Sequence, residues 1–243
     1  SAQRSAGAAR TLVAPMDTSA VDYELPTASI AQTPIEPREA ARLLIDEGPG
    51  RPPRHGGITD LPELLGPGAV VVLNTTRVLR ARLRLERSSG GAAEVLLLEP
   101  IGGGAVEVTE RWEALVRPSR KLPDGTELPL GDDGHLVVGE DLGEGRRIVD
   151  LHLASGTDVA TMLDHHGAMP LPPYITTELD DPERYQTTYA NEPGSVAAPT
   201  AGLHLTTGLL DRVRATGARV MPVELVVGLG TFRPIAVDRV EDH

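Results

Sequence analysis

Hydrophobic and polar positions divide the chain into three stretches with different periods. Before residue 80, apolar residues come in short runs. Leu43-Leu44-Ile45 is one. Ala69-Val70-Val71-Val72-Leu73, bounded by Gly68 and Asn74, is another and predicts a buried strand. From Arg80 to Leu153 the period shortens to two. Ala81-Arg82-Leu83-Arg84-Leu85 alternates, as does part of Arg146 to Leu153, and Ala93 to Leu98 and Arg111 to Val116 lie between them. Turn signals separate these segments: Ser89-Gly90-Gly91, Gly102-Gly103-Gly104, Pro123-Asp124-Gly125, Asp133-Gly134 and Gly143-Glu144-Gly145. Many short strands at such spacing predict a small barrel or sandwich.

After Ala154 the period becomes helical. Thr157 is placed to cap a helix with Val159, Met162 and Leu163 on one face, ended by Gly167. A proline loop (Pro170 to Pro173) follows. Ser195-Val196-Ala197-Ala198 then predicts a short strand and Pro199 to His204 a loop. Thr206 or Thr207 caps a helix with Leu209, Leu210 and Val213 on one face, and Gly217 stops it. Arg219 to Val227 is the next strand, ending in Gly228-Leu229-Gly230-Thr231. Strand, helix, strand implies a right-handed crossover between parallel strands, with ligands at the strands' carboxyl ends. The loops Pro199–His204 and Gly228–Thr231 would sit there, joined by Asn74–Arg77 if Ala69–Leu73 enters the same sheet in parallel. The predicted fold is α/β: a mixed α/β sheet domain (residues 21–79 and 154–243), interrupted by an inserted small β-barrel domain (80–153) and preceded by a disordered extension (1–20).

Composition narrows the function classes. The chain has 243 residues and is 40% hydrophobic, enough for an ordinary core. No apolar run approaches the ~20 residues of a membrane helix, and Ser1 to Ala20 lacks the apolar core of a secretory signal, so a cytoplasmic protein is expected. There is no cysteine, which excludes disulfides, cysteine nucleophiles and cysteine-held zinc or iron–sulfur sites. The net charge of -12 argues against a non-specific grip on nucleic acid but leaves room for a local basic face. Five arginines fall between Arg77 and Arg87, and Arg111, Arg117, Arg120 and Lys121 lie just beyond.

Among chemical motifs, Gly228-Leu229-Gly230 is a weak dinucleotide signal, because Arg233 and Pro234 follow and no helix opens there. Pro199-Thr200-Ala201-Gly202-Leu203-His204 precedes a helix, so its N–H groups could hold an anion. Thr200 offers a hydroxyl. His204 carries an imidazole, a side chain suited to acid–base work; the alternative role for His204 is to brace the loop by hydrogen bonding. His165 and His166 point to different sides of a helix, lack metal spacing and read as structural. Tyr174, Tyr185, Tyr189 and Phe232 lie beside these motifs, where aromatic faces either stack on a splayed-out base or fill the core.

Taken in order, the motifs resemble the S-adenosylmethionine:tRNA ribosyltransferase-isomerases of the queuosine pathway. The resemblance is carried by Asp22-Tyr23-Glu24-Leu25-Pro26, Pro37-Arg38, Asn74-Thr75-Thr76-Arg77-Val78, Ala81-Arg82-Leu83, Arg117-Pro118-Ser119, Met169-Pro170-Leu171-Pro172-Pro173-Tyr174-Ile175, Arg184-Tyr185-Gln186-Thr187, Ala197 to His204, Val227-Gly228-Leu229-Gly230-Thr231-Phe232 and Glu241-Asp242-His243. It implies an enzyme that moves the ribosyl part of S-adenosylmethionine onto an aminomethyl-deazaguanine in a tRNA anticodon, giving epoxyqueuosine, adenine and methionine. S-adenosylmethionine would be a co-substrate, the tRNA anticodon loop a partner, and no metal or membrane would take part; a monomer is expected. His204 and Thr200 are the catalytic candidates. The substrate-binding candidates are Asn74, Thr75, Thr76, Arg77, Arg82, Arg117, Arg184, Tyr185, Gln186, Ala201, Gly202, Leu203, Gly228, Gly230, Thr231 and Phe232. Arg77, Arg82, Arg84, Arg117 and Arg120 are expected to touch tRNA. The chain departs from the family at Val226, where many members have His, and at Leu205, Arg80 and Ala168. Family members also continue well past Glu241-Asp242-His243, so either the chain is truncated or it is a shortened paralogue. Two further readings follow from these departures: S-adenosylmethionine chemistry on a small-molecule acceptor, and a non-catalytic tRNA-binding module.

Overall fold

The computed structural model describes residues 16–102, 110–227, 235 and 237–242. They belong to two units, one within Ser1–Ile30 and Phe232–His243 and the other within Ala31–Thr231. In the first, Asp17 caps a 3-10 turn, Thr18–Val21, by accepting from the Ser19 N–H at 2.9 Å. The turn is tied to the C-terminal residues by Thr18 N to Asp238 O and Val240 N to Met16 O, each 3.0 Å. The expected N-terminal extension falls mostly on residues 1–15, outside the described residues.

The second unit opens with an antiparallel pair, β1 (Arg42–Ile45) and β2 (Arg54–Gly57). A single helical turn, α1 (Leu61–Leu64), leads to β3 (Val70–Asn74) and β4 (Thr76–Val78). The apolar run before Asn74 is indeed a strand, but it is not buried throughout. Val70 and Val72 are 53% and 60% exposed, whereas Leu73 is 7% exposed. A strand in a two-stranded pair presents alternate residues to opposite sides, and here only one side is covered.

The alternating stretch supplies six strands: β5 (Arg82–Glu86), β6 (Ala92–Pro100), β7 (Glu110–Arg117), β8 (Thr126–Pro129), β9 (Gly134–Gly143) and β10 (Arg146–Leu153). They join an antiparallel sheet whose strand order, among the described residues, has two ends, and the sheet curls into a half-barrel. One face is apolar in every strand. Leu83 sits opposite Val95 and Val95 opposite Val116; Leu151 sits opposite Leu136, which sits opposite Leu128. All six are essentially inaccessible to solvent. Arg147 is the one charged residue buried among the described residues, and its guanidinium donates to the carbonyls of Gly139 and Leu122 at 2.9 Å and to Asp124 Oδ1 at 2.5 Å. The opposite face is polar: Arg111 forms a two-point pair with Asp150 at 2.6 and 2.9 Å, and His135 stacks on His152 with ring centroids 4.8 Å apart.

The helix after the half-barrel, α2 (Val159–His166), is capped by Asp158, not by Thr157. The Asp158 carboxylate accepts from the Thr161 N–H at 2.8 Å, while the Thr157 hydroxyl turns to Asp133 at 3.3 Å. Its two terminal histidines do not diverge: His165 Nδ1 and His166 Nε2 both meet Asp133 Oδ2, at 2.7 and 2.9 Å. Those contacts hold the Asp133 carboxyl below its ordinary pKa, the His165 hydrogen bond most of all. Two residues, β11 (Gly167–Ala168), then add to the half-barrel beside β5.

The remaining strands are β12 (Glu192–Ser195) and β13 (Arg219–Val223), with α3 (Thr207–Ala215) between them. Thr206 caps α3 by accepting from the Leu209 N–H at 3.1 Å, and Gly217 reverses the chain at φ +86°. Both strands pair in parallel, but with different partners: β12 with β4 and β13 with β3. The expected single crossover sheet is thus two separate pairs. Its first strand stops at Ser195, whose hydroxyl bonds the Ala197 carbonyl, and Pro199 lacks an N–H to continue the ladder. Leu209 and Leu210 of α3 pack with Ala41, Ile58, Leu73 and Leu205 into a second small core.

Candidate active site

Two 3-10 turns carry the candidate residues, Pro182–Tyr185 and Thr200–His204. One side chain pins both. Arg38 donates from Nη1 to the carbonyls of Gln186 and Leu203, at 2.9 and 2.8 Å, and from Nη2 to the carbonyl of Glu183 at 2.9 Å. The rigid fork of a guanidinium suits this triple contact better than a flexible ammonium would. Burial and the neighbouring Arg184 lower its pKa, and the acidic neighbours Glu36, Asp181 and Glu183 oppose that shift.

Within the second turn the side chains differ in their engagement. Gly202 is buried, and a Cβ there would lie 2.3 Å from the Tyr189 hydroxyl. A larger residue there would force the Tyr189 side chain to shift. Thr200 is exposed and His204 half-buried, and neither side chain hydrogen-bonds to a described residue. The bracing role considered for His204 lacks such a bond among them. The turn also does not lead straight into a free helix start. Leu205 and Thr206 intervene, and the start of α3 is satisfied by the Thr206 cap and by Glu39, whose carboxylate accepts from the Thr206 hydroxyl and from Arg212 at 2.7 Å. Those bonds keep the Glu39 carboxyl below its ordinary range, that of Thr206 foremost.

The Asn74-Thr75-Thr76 segment grips main chain. Asn74 Nδ2 donates to the Leu225 carbonyl at 2.9 Å, and its Oδ1 accepts from the Leu225 N–H at 3.1 Å and the Thr76 hydroxyl at 2.7 Å. The Thr75 hydroxyl donates to the Val223 carbonyl at 3.1 Å, and the single Thr76 hydroxyl proton lies between Asn74 Oδ1 and the Leu225 carbonyl, which is 2.9 Å away. Residues 223–227 are thereby fixed next to Ser195, whose hydroxyl accepts from the Val227 N–H at 3.1 Å. Gly228, Gly230, Thr231 and Phe232 lie outside the described residues.

The family of proteins described as queuosine biosynthesis proteins matches residues 18–243. The chain belongs to this family. It is 48% identical over 228 residues to the S-adenosylmethionine:tRNA ribosyltransferase-isomerase of Rubrobacter xylanophilus, covering 94% of this chain and 65% of that protein. The protein of the same name from Heliobacterium modesticaldum is 46% identical over 233 residues, with the same shares. The chain thus spans less than two thirds of the length of these relatives. A solved S-adenosylmethionine tRNA ribosyltransferase from Thermotoga maritima shares 29% identity over 85% of this chain and 58% of its own, at a TM-score of 0.33.

Of the candidates in this queuosine-family chain, one group converges around the pinned turns. Arg77 pairs with Glu183 at 2.5 Å, and Arg184 pairs with Glu36 at 2.5 Å while donating to the Ile35 carbonyl at 2.8 Å. Gln186 is buried, and its amide is spent on both main-chain groups of Val78, at 3.0 and 2.8 Å. Tyr185 is buried; the loss of solvent pushes its hydroxyl up to about 12, against a hydrogen bond at Ala198 and the charge of Arg82. Burial likewise raises Tyr189. Arg82 reaches from the half-barrel to the Leu171 carbonyl at 3.2 Å and to Glu94 at 3.4 Å. Arg117 stands apart, exposed at the end of β7. Among the described residues no group of three or more His, Cys, Asp or Glu side chains could hold a metal, and no helix is long and apolar enough to cross a membrane. Sequence reasoning assigned Arg38 no role beyond its family match. Its carbonyl partners at Gln186 and Leu203 lie 148 and 165 residues away, and no local pattern announces them.

Proposed function

We propose that this chain transfers and isomerises the ribosyl moiety of S-adenosylmethionine onto 7-aminomethyl-7-deazaguanine in a tRNA anticodon, giving epoxyqueuosine and releasing adenine and methionine. The observation that supports it best is the contrast at the pinned turns. Gln186, Asn74 and Thr76 are consumed by the fold, while Thr200 and His204 stand on a turn held by Arg38 with their side chains unspent on it. A sulfonium acidifies the neighbouring 5′ carbon. His204 accepts that proton and the 5′ carbon keeps the electron pair as a sulfonium ylide; methionine leaves afterwards as a neutral thioether, taking the C–S pair, when a nucleophile displaces it from that carbon. Thr200 binds the methionine carboxylate or orients the ribose. Tyr189 supplies aromatic surface beside the turn, and Asn74 to Thr76 hold the segment that leads toward Gly228. The reading places S-adenosylmethionine as co-substrate, with no metal among the groups that act.

The test is release of adenine and methionine from S-adenosylmethionine with and without precursor tRNA. Release that depends on tRNA is the expected result. Release without tRNA would favour a small-molecule acceptor, and tRNA binding without turnover a binding module; either overturns the proposal. In single-turnover measurements at saturating substrate, His204→Ala should lose ~10²–10⁴-fold in rate while keeping the fold. A rate within about threefold of the parent would remove His204 from the proton transfer, since loss of a general base costs far more.

A further inference from the structure

We infer that the cleft at the hairpin end of the half-barrel is an RNA-backbone site that grips the tRNA away from the reacting nucleotide. The inference rests on the tRNA reading above and goes beyond it by naming the surface. The cleft has a volume of about 760 Å³ and lies where β5 ends, β6 begins and β7 ends; Arg84, Glu86, Gly91, Glu94, Arg117 and Pro118 are among its lining residues. The sheet register puts Arg84 opposite Glu94 and Glu94 opposite Arg117, one row across three strands. Residues directly opposite in a sheet share a face, so both arginines flank the same groove. Glu94 between them is turned to Arg82, 3.4 Å from both carboxylate oxygens, which offsets its charge.

Among the described residues, ion pairing leaves four cations unpaired at this end, while Arg38, Arg42, Arg80 and Arg219 lack an ion pair with a described carboxylate elsewhere. The chain carries a net charge of -12, and most described arginines have a carboxylate within 4.0 Å, among them Arg77, Arg82, Arg146, Arg184, Arg212 and Arg214. Arg87, Arg117, Arg120 and Lys121, the only lysine, form no ion pair with a described carboxylate. Arg87 lies on the hairpin, where its Nε donates to the Gly91 carbonyl at 3.3 Å. Arg120 and Lys121 follow Pro118 in an exposed 3-10 turn. Arg84 pairs with Glu178 at 2.6 Å, but those side chains are 62% and 80% exposed. Such a pair is worth little in water and exchanges readily for a phosphate. Glu86 is the opposing charge on the rim. Guanidinium forks match phosphate oxygens two at a time. Arg77 and Arg82, by contrast, are held in contacts of the fold, so they are left out of the surface.

The test is the double variant Arg117→Glu/Arg120→Glu in the whole chain, with Arg214→Glu on α3 as control. Binding of precursor tRNA is measured by fluorescence anisotropy over a series of salt concentrations, and folding is checked by thermal melting. The double variant should bind at least tenfold more weakly. Its slope of log affinity against log salt should be shallower by about 1.5 to 2, as expected for two lost phosphate contacts. The control should match the parent. Parent-like affinity and slope in the folded double variant would overturn the inference, as would an equal loss in the control. If the parent chain itself binds no tRNA at low salt, the reading of tRNA as substrate fails first, and the surface with it.

Discussion

The half-barrel and the two parallel strand pairs bury their strands in different ways. In the half-barrel each strand has neighbours on the sheet and a filled apolar face, and Leu83, Val95, Val116, Leu128, Leu136 and Leu151 are closed to solvent. In the β3–β13 pair only one face packs, against α3. The other leaves Val70, Val72, Met221 and Val223 between 40% and 60% exposed. Parallel strands in α/β sheets normally have both faces covered. The difference teaches that the half-barrel supplies rigidity, whereas the pairs hold their geometry by side chains that grip main chain: Asn74, Thr75 and Thr76 on residues 223–225, and Arg38 on three carbonyls. Candidate reactive groups lie in the second region.

The largest effect that would sharpen this contrast comes from the closed core. Leu136→Ala should destabilise by ~2–5 kcal/mol, the cost of a cavity in a packed interior. Val72→Ala on the open face should change stability by less than ~0.5 kcal/mol. Urea unfolding of both variants checks this, and equal costs would erase the distinction between the regions. Next, Gly202→Ala places a Cβ on the Tyr189 hydroxyl and should cost ~1–3 kcal/mol by overpacking. Adding Tyr189→Phe removes the obstructing oxygen and should return most of that loss. Failure of the second change to help would show that the turn is constrained by something other than Tyr189.

Much of the half-barrel was legible because alternation and turn glycines are local signals, and Thr206 and Gly217 marked the ends of α3 for the same reason. The strand pairing was less so. Nothing near Ser195 tells that its hydroxyl ends β12 and that β4, more than a hundred residues earlier, is its partner. The histidine pair is structural, as its spacing suggests, but helical spacing alone does not show that both imidazoles at the helix end bend to one carboxylate, Asp133. At the candidate site the residue types were visible, but which of them are free was not. Gln186 and Thr200 are both polar motif residues, but the first is spent on the main chain of Val78 and the second hydrogen-bonds to no described residue.

A smaller effect tests the tie between α2 and the half-barrel. Because the native Asp133 carboxyl lies below its ordinary 3.8, its stabilising contribution is present above that pH. It is lost as pH falls through the lower native value. Asp133→Asn should therefore melt earlier than the parent at pH 7, and the gap should close as the pH drops below about 3.8. A gap independent of pH would mean that shape, not charge, holds the tie. The smallest effect is spectroscopic. Tyr185, at about 12, should stay un-ionised in an ultraviolet titration until well past pH 10, and Tyr185→Phe should remove that late step. Stability tied to this group is complete below pH 10 and fades as pH rises toward 12, the direction required by a raised native value.

The grip of Asn74 and Thr76 on Leu225 has a consequence for how the family can drift. Both contacts are made to main-chain groups, which every residue except proline carries in full. The clamp is therefore blind to the letters it holds. A histidine or a valine at position 226 meets the same main-chain grip on Leu225, so chemistry carried by that side chain can be lost or acquired without loosening the backbone that displays it. Anchoring and display are separate functions here, written in separate parts of the sequence, and one can change while the other stands still.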